Sequence, residues 1–307
     1  MTINRREIIK AGAAAATLQF FGVSHINAQS QTLITRPIPI SGEKIPVIGI
    51  GTNRYGIDLK DNSARKPLLA TLKKFHALGG RVIDTAPRYR GSESVLGHLI
   101  SELGIEDDLF MATKCNMATP ESTKKQIADS IKNLQWDSPI DLMQIHSMEN
   151  WEKVLPAIRT EKQAGRLRYV GVTTSRSSQH EDMADLMHSE SVDFVQLNYS
   201  LVDRNAEHRM LPIAAERGIA VMVNLPFGRG RLFEAVGNRP LPTWASEFDC
   251  SSWAQFFLKY VVSHPAVTCA IPGTRKVHHI EDNMAAAYGR LPSPDLRKRQ
   301  ENYIANL

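Results

Sequence analysis

Gly49-Ile50-Gly51-Thr52-Asn53-Arg54 is the stretch on which the fold turns. An open, doubly wound sheet that binds a nucleotide needs the pattern G-x-G-x-x-G between its first strand and first helix, with the third glycine allowing the two to pack closely. Here Arg54 stands at the third glycine position, and a loop follows rather than a helical pattern. Outward from this point, short apolar runs alternate with amphipathic segments. The runs are Val47–Gly51, Arg81–Ala86, Leu109–Lys114, Ile140–His146, Tyr169–Thr174, Phe194–Tyr199, Ala220–Pro226 and Val267–Gly273. They are apolar on both faces, as a sheet covered by helices requires. Between them, Ile127, Ile131 and Leu134, and then Trp253, Phe256, Phe257, Tyr260 and Val261, recur at helical spacing. Eight strand–helix repeats in a chain of this length predict a closed (β/α)8 TIM barrel. Thr32–Pro46 is expected to form a short N-terminal hairpin turned at Ser41-Gly42, closing the barrel floor, and Pro294–Asn306 a C-terminal helix.

The 307 residues, 42% hydrophobic and 22% charged, exclude a disordered chain or a collagen-like repeat. Cys115, Cys250 and Cys269 lie far apart without a C-x-x-C, so a disulfide framework, zinc ribbon or iron–sulfur cluster is not expected. A net charge of +5, spread along the chain, does not argue for nucleic acid. Asn4-Arg5-Arg6-Glu7-Ile8-Ile9-Lys10, the weakly apolar stretch Ala11–Val23, and Ala28 before Gln29 describe an export signal over residues 1–28, leaving 29–307 as the barrel. The stretch is too short to span a bilayer, and no other segment is apolar enough, so an integral membrane protein is not expected. The arginine pair resembles the twin-arginine signal, read by a machinery that exports folded proteins. It implies a periplasmic location; the alternative is a cytoplasmic enzyme with an alanine-rich first helix.

In a barrel the chemistry lies at the C-terminal ends of the strands. Those positions hold Asp84 after the second strand, Lys114 at the end of the third and His146 at the end of the fourth, with Tyr89 five residues beyond Asp84. A free phenol titrates near ~10, too high for an efficient acid at neutrality. An ammonium beside it favours the phenolate, and a carboxylate holds that ammonium charged and in place. An imidazole opposite orients a carbonyl oxygen. Such a quartet protonates an oxygen as it becomes an alkoxide, but it supplies neither nucleophile nor metal cage, so the electrons must come from a bound cofactor.

Asp84-Thr85-Ala86-Pro87-Arg88-Tyr89-Arg90-Gly91-Ser92-Glu93-Ser94-Val95-Leu96-Gly97, with Ala112-Thr113-Lys114 and Gln144-Ile145-His146, resembles the aldo-keto reductase superfamily, over roughly residues 44–290. The resemblance implies NADPH as hydride donor, with NADH second, and a small aldehyde or ketone as substrate. It makes Tyr89 the general acid, Lys114 its activator, Asp84 the partner of Lys114, and His146 the group that orients the substrate. Arg90 is an extra residue between Tyr89 and Gly91, where the family commonly has Tyr-Gly.

The cofactor positions follow from the same resemblance. Gly51 and Thr52 close the first strand. Ile271-Pro272-Gly273-Thr274-Arg275-Lys276 looks like the family's dinucleotide motif, placing Gly273, Thr274, Arg275 and Lys276 near the adenosine 2′-phosphate and Asp282 and Asn283 near the adenine. His279 stands where many members have an arginine. Thr173 and Thr174 occupy the Ser-Asn pair that holds the nicotinamide carboxamide, and Gln196 fits the third amide contact. Asn224 stands where many members stack an aromatic ring on the nicotinamide. Pro226, Phe227 and Gly228 belong to the loop over the pyrophosphate. A nucleotide-binding regulatory or sensor protein with slow turnover is the alternative reading.

Overall fold

The computed structural model describes residues 32–307; the expected export signal lies outside them. Two hairpin strands, β1 (Thr35–Pro37) and β2 (Lys44–Pro46), pair antiparallel. Eight parallel strands follow: β3 (Ile50–Gly51), β4 (Val82–Asp84), β5 (Phe110–Cys115), β6 (Ile140–Ile145), β7 (Leu167–Thr173), β8 (Phe194–Asn198), β9 (Ala220–Asn224) and β10 (Cys269–Ala270). Each pairs with the next in sequence. Ala270 N–H donates to Val47 O (2.9 Å) and Gly49 N–H to Ala270 O (2.8 Å), which brings the last strand back onto the first. The fold is the (β/α)8 barrel.

Strand neighbours explain the glycines of the opening stretch, β4 at Gly49 and the seam at Gly51. A Cβ on Gly49 would lie 2.7 Å from Val82 O, and one on Gly51 would lie 2.9 Å from Ile271 O. Close backbone approach of adjacent strands, not a phosphate turn, requires glycine at both positions. The seam strands are also shorter than their apolar runs, because only the bridges Ile48–Ala270 and Gly51–Gly273 extend the pairing there.

The hairpin seals the floor as its position in the sequence suggested. Ile38 and Ile45 join Phe110, Leu142, Tyr169, Phe194, Met222 and Ile271 in one buried cluster inside the barrel. The rings of Phe110, Tyr169 and Phe194 lie 5.6–6.0 Å apart, and Tyr169 donates its phenol proton at the turn, to Ser41 Oγ or Glu43 Oε2, each 2.7 Å away.

Outside the sheet, helices begin where the local chemistry directs. Thr119 and Ser122 form a reciprocal capping box with Pro120 in the first turn, so the helix Pro120–Leu134 starts there and buries Ile127 and Leu134. Ser252 caps the helix Trp253–Ser263, whose Phe256, Phe257, Tyr260 and Val261 are fully buried; each such large side chain contributes about 1.5–3 kcal/mol. The final helix runs Pro294–Ala305 behind its cap Ser293. No helix among the described residues is long and apolar enough to cross a membrane.

Candidate active site

Asp84 is the last residue of β4, Lys114 lies one residue from the end of β5, and His146 directly follows β6. Three neighbouring strands therefore deliver them to one mouth. Tyr89 sits on the loop after β4, in a turn closed by Tyr89 N–H to Ala86 O (3.0 Å) and Ser92 N–H to Tyr89 O (3.0 Å). Buried hydroxyls pin that loop: Thr52 Oγ1 donates to Asp84 O (2.9 Å), Thr85 Oγ1 to Ser92 Oγ (3.1 Å), and Ser92 Oγ to Thr52 O (3.1 Å). The extra residue Arg90 adopts a left-handed backbone (φ 54°) with its side chain in solvent. Its carbonyl lies where a Cβ on Gly56 would come within 2.2 Å, so the insertion is absorbed against the loop after β3.

The four groups meet. Lys114 Nζ donates to Asp84 Oδ2 at 2.6 Å and to Thr85 O at 2.8 Å. The ammonium lies 5.2 Å from the centre of the Tyr89 ring, and the His146 ring meets that ring edge-on at 6.0 Å. Burial works most strongly against the Lys114 charge, but Asp84 and Tyr89 together outweigh it and Lys114 is held above the ordinary lysine range. Burial pushes the Tyr89 phenol up, and the pull of Lys114 does not overcome it. This corrects the expectation of a net-lowered phenol, and its consequence is a Tyr89 fully protonated at neutrality. Burial, Lys114 and Arg88 push His146 down to about 4, so its imidazole is neutral.

One amide, Gln144, escaped the sequence reading, and Gln196, expected at the nicotinamide, turns to the same carboxylate. Gln144 and Gln196 both donate to Asp84 Oδ1, at 3.1 and 2.8 Å, and Gln196 Nε2 also donates to Gln144 Oε1 at 3.2 Å. Strand alternation could have found Gln144, since residues two apart share a face and His146 was already placed. Around the rim, Arg88 pairs with Glu149 (2.8 Å), and Asn116 Nδ2 donates to the same carboxylate (3.2 Å).

A cavity of about 940 Å³ runs from Tyr89, Lys114 and His146 to the loops after β9 and β10. Gly51, Thr52, Thr173, Thr174, Gln196, Asn224, Pro226, Phe227, Gly273, Thr274, Arg275, Lys276 and His279 all line it. Gly228, Asp282 and Asn283 do not. Gly228 turns the loop behind the lining (φ 57°). Asp282 accepts from Ser252 Oγ and Gln255 Nε2, both at 2.7 Å, because its helix packs there against Trp253–Ser263. Asn283 is buried on that same helix, Val277–Ala285.

The expected carboxamide holders are largely engaged with the protein. Thr173 Oγ1 accepts from Ser147 N–H (3.0 Å), and Thr174 Oγ1 donates to Gln179 Oε1 (2.7 Å). Asn224 Nδ2 donates to Thr174 O (2.8 Å) and Gln196 Oε1 (3.3 Å). Phe227 packs against Phe233 at 5.0 Å. At the far end, Thr274 O accepts from the buried Tyr55 phenol (3.0 Å), and Arg275 reaches back to Arg54 O (3.4 Å).

The barrel mouth thus combines a dry ammonium–carboxylate pair, a protonated phenol and a neutral imidazole. The model of the Aldo/keto reductase family matches residues 47–302. L-galactose dehydrogenase of Arabidopsis thaliana is 25% identical over 284 residues, covering 82% of this chain and 87% of that protein. NADH-specific methylglyoxal reductase of Escherichia coli is 26% identical over 200 residues, covering 55% of this chain and 59% of that protein. Among solved structures, an aldo-keto reductase from Klebsiella pneumoniae in complex with NADPH superposes with a TM-score of 0.73 at 22% identity, covering 89% and 95% of the two chains. The chain belongs to the aldo/keto reductase family.

Proposed function

We propose that the protein reduces an aldehyde or ketone to the alcohol with NADPH, Tyr89 supplying the proton. The observation that carries this reading is the buried Lys114–Asp84 pair, 2.6 Å apart, beside the Tyr89 ring. The cofactor, when bound, supplies a hydride to the carbonyl carbon. Tyr89 releases its proton to the carbonyl oxygen as that oxygen becomes an alkoxide. The Lys114 ammonium stabilises the phenolate left behind, and Asp84 keeps Lys114 charged. His146, neutral, donates one hydrogen bond to the carbonyl oxygen through its ring N–H without competing as an acid.

The residues present suit a phosphorylated dinucleotide. Arg275 and Lys276 lie at the cavity's far end and form no ion pair among the described residues, leaving both cations available to a 2′-phosphate. The loop after β9 carries left-handed residues at Leu225, Gly228, Arg229 and Gly230, the kind of turn that directs backbone N–H groups at an anion. The Klebsiella relative's NADPH favours the same choice, and the NADH-specific Escherichia coli relative makes the nucleotide the point to measure.

The test is the oxidation of NADPH by a panel of aldehydes and ketones, with Tyr89→Phe as comparison. The variant is expected to bind NADPH as the wild type does and to lose ~10²–10⁴ in turnover; undiminished turnover removes Tyr89 from its role. Residues 1–28 are proposed to direct export of the folded protein to the periplasm, supported by Arg5-Arg6 ahead of the weakly apolar stretch. Arg5→Lys with Arg6→Lys should trap an uncleaved precursor in the cytoplasm. A wild-type protein recovered there at full length speaks against it.

A further inference from the structure

Gln144 has no place in the tetrad, yet it sits at the tetrad's centre. It is fully buried on β6, between Lys114 of β5 and Gly171 of β7 in the strand register. Its Nε2 donates to Asp84 Oδ1 at 3.1 Å and its Oε1 accepts from Gln196 Nε2 at 3.2 Å. Gln196 spends its other N–H on the same Asp84 oxygen, at 2.8 Å. The barrel makes room for this arrangement: a Cβ on Gly171 would lie 3.2 Å from Gln144 Cγ and 3.0 Å from Phe194 O. Asp84 therefore holds Lys114 on one oxygen and two interlocked amides on the other. A buried carboxylate stays ionised and oriented only while its lone pairs are met by donors. Without them it can rotate away from Lys114, and Lys114 loses the partner that keeps it charged beside Tyr89.

We propose that Gln144 is a positioning residue for catalysis: its amide N–H holds Asp84 turned toward Lys114, and so keeps the Lys114 ammonium placed beside Tyr89 without touching cofactor or substrate. This rests on the reading of Tyr89 as the proton donor. A residue that merely fills space would be replaceable by any side chain of its size. Gln144 requires a donor at Nε2, and that requirement can be given a pH signature. A glutamate in its place can donate to Asp84 only while protonated; once ionised it repels Asp84 and competes for Lys114.

The experiment measures NADPH affinity, kcat and KM across pH for the wild type, Gln144→Leu and Gln144→Glu, with unfolding midpoints to verify that each variant is folded. Gln144→Leu is expected to lower kcat about tenfold or more, the scale of one hydrogen bond to a charged group, with NADPH affinity and KM nearly unchanged at every pH. Gln144→Glu is expected to approach wild-type kcat at low pH and to fall away as its carboxyl ionises. Should Gln144→Leu not fold, the pH response of Gln144→Glu decides alone. Wild-type kcat in Gln144→Leu, or a Gln144→Glu profile parallel to the wild type, overturns the proposal while leaving the reductase reading intact. A wild type that binds NADPH and reduces no carbonyl overturns that reading and this inference with it.

Discussion

Two lysines are equally hidden in this molecule, and their surroundings differ in kind. Lys114, at the barrel mouth, meets the Asp84 carboxylate at 2.6 Å and is held above the ordinary lysine range, because Asp84 and Tyr89 together outweigh the burial that would discharge it. Lys259, on the outer helix Trp253–Ser263, has no carboxylate in contact among the described residues. It is met by the carbonyls of Phe248 (2.8 Å), Asp249 (3.1 Å), Tyr288 (2.8 Å) and Arg290 (3.0 Å), and burial lowers it. Four dipoles make a clamp that ties three chain segments together. A carboxylate beside a phenol makes a charge whose movement can be coupled to a proton. Burial alone does not mark a lysine as functional; the nature of the compensating group does.

Exchanging each lysine for methionine is the sharpest way to break this comparison. Lys114→Met should cost ~10²–10⁴ in kcat, like the loss of an essential acid, and also destabilise the fold by about 3–5 kcal/mol because Asp84 is left buried without its counter-charge. Steady-state kinetics and urea unfolding measure the two effects separately. Lys259→Met should leave kcat of the folded enzyme unchanged and lower stability by about 2–4 kcal/mol, since its carbonyls lose a charged donor. Loss of turnover in a folded Lys259→Met would erase the distinction between clamp and catalyst.

The solvated cations Arg275 and Lys276 supply a third setting, where water screens the charge until a ligand arrives. Replacing both by alanine should weaken NADPH about tenfold or more, through loss of charge-assisted bonds to the 2′-phosphate, while NADH is barely affected. Equal losses in a fluorescence titration would mean that the pair acts through the fold.

The smallest effect is in pH. His146 is held at about 4 in the folded protein against ~6.5 unfolded. Its unfolded form binds the extra proton, so stability is complete above pH ~6.5 and declines as pH falls toward 4. His146→Asn should flatten that slope in a series of unfolding curves. The Tyr89 phenol, held above ~10, should keep carbonyl reduction level across neutral and mildly alkaline pH.

Much of this was legible along the chain. The missing third glycine at Arg54 and the eight two-faced apolar runs are local signals, and local signals depend on neighbours a few residues away. The strand ends carried Asp84, Lys114 and His146, because in a parallel barrel every strand opens at the same end. Other features depend on groups distant in sequence. Gln144 and Gln196 became partners of Asp84 only because β6 and β8 face β4 across the barrel. The glycine at 51 is required by a seam made with β10, more than two hundred residues on, and the one at 49 by Val82 of the neighbouring β4. Asp282 turned to Ser252 and Gln255 because two helices pack there. The phenol rose instead of falling because desolvation is a property of the closed mouth. Sequence order states which groups are present; how much water each keeps is decided when the barrel closes, and here that difference sets which lysine is a clamp and which can serve a proton transfer.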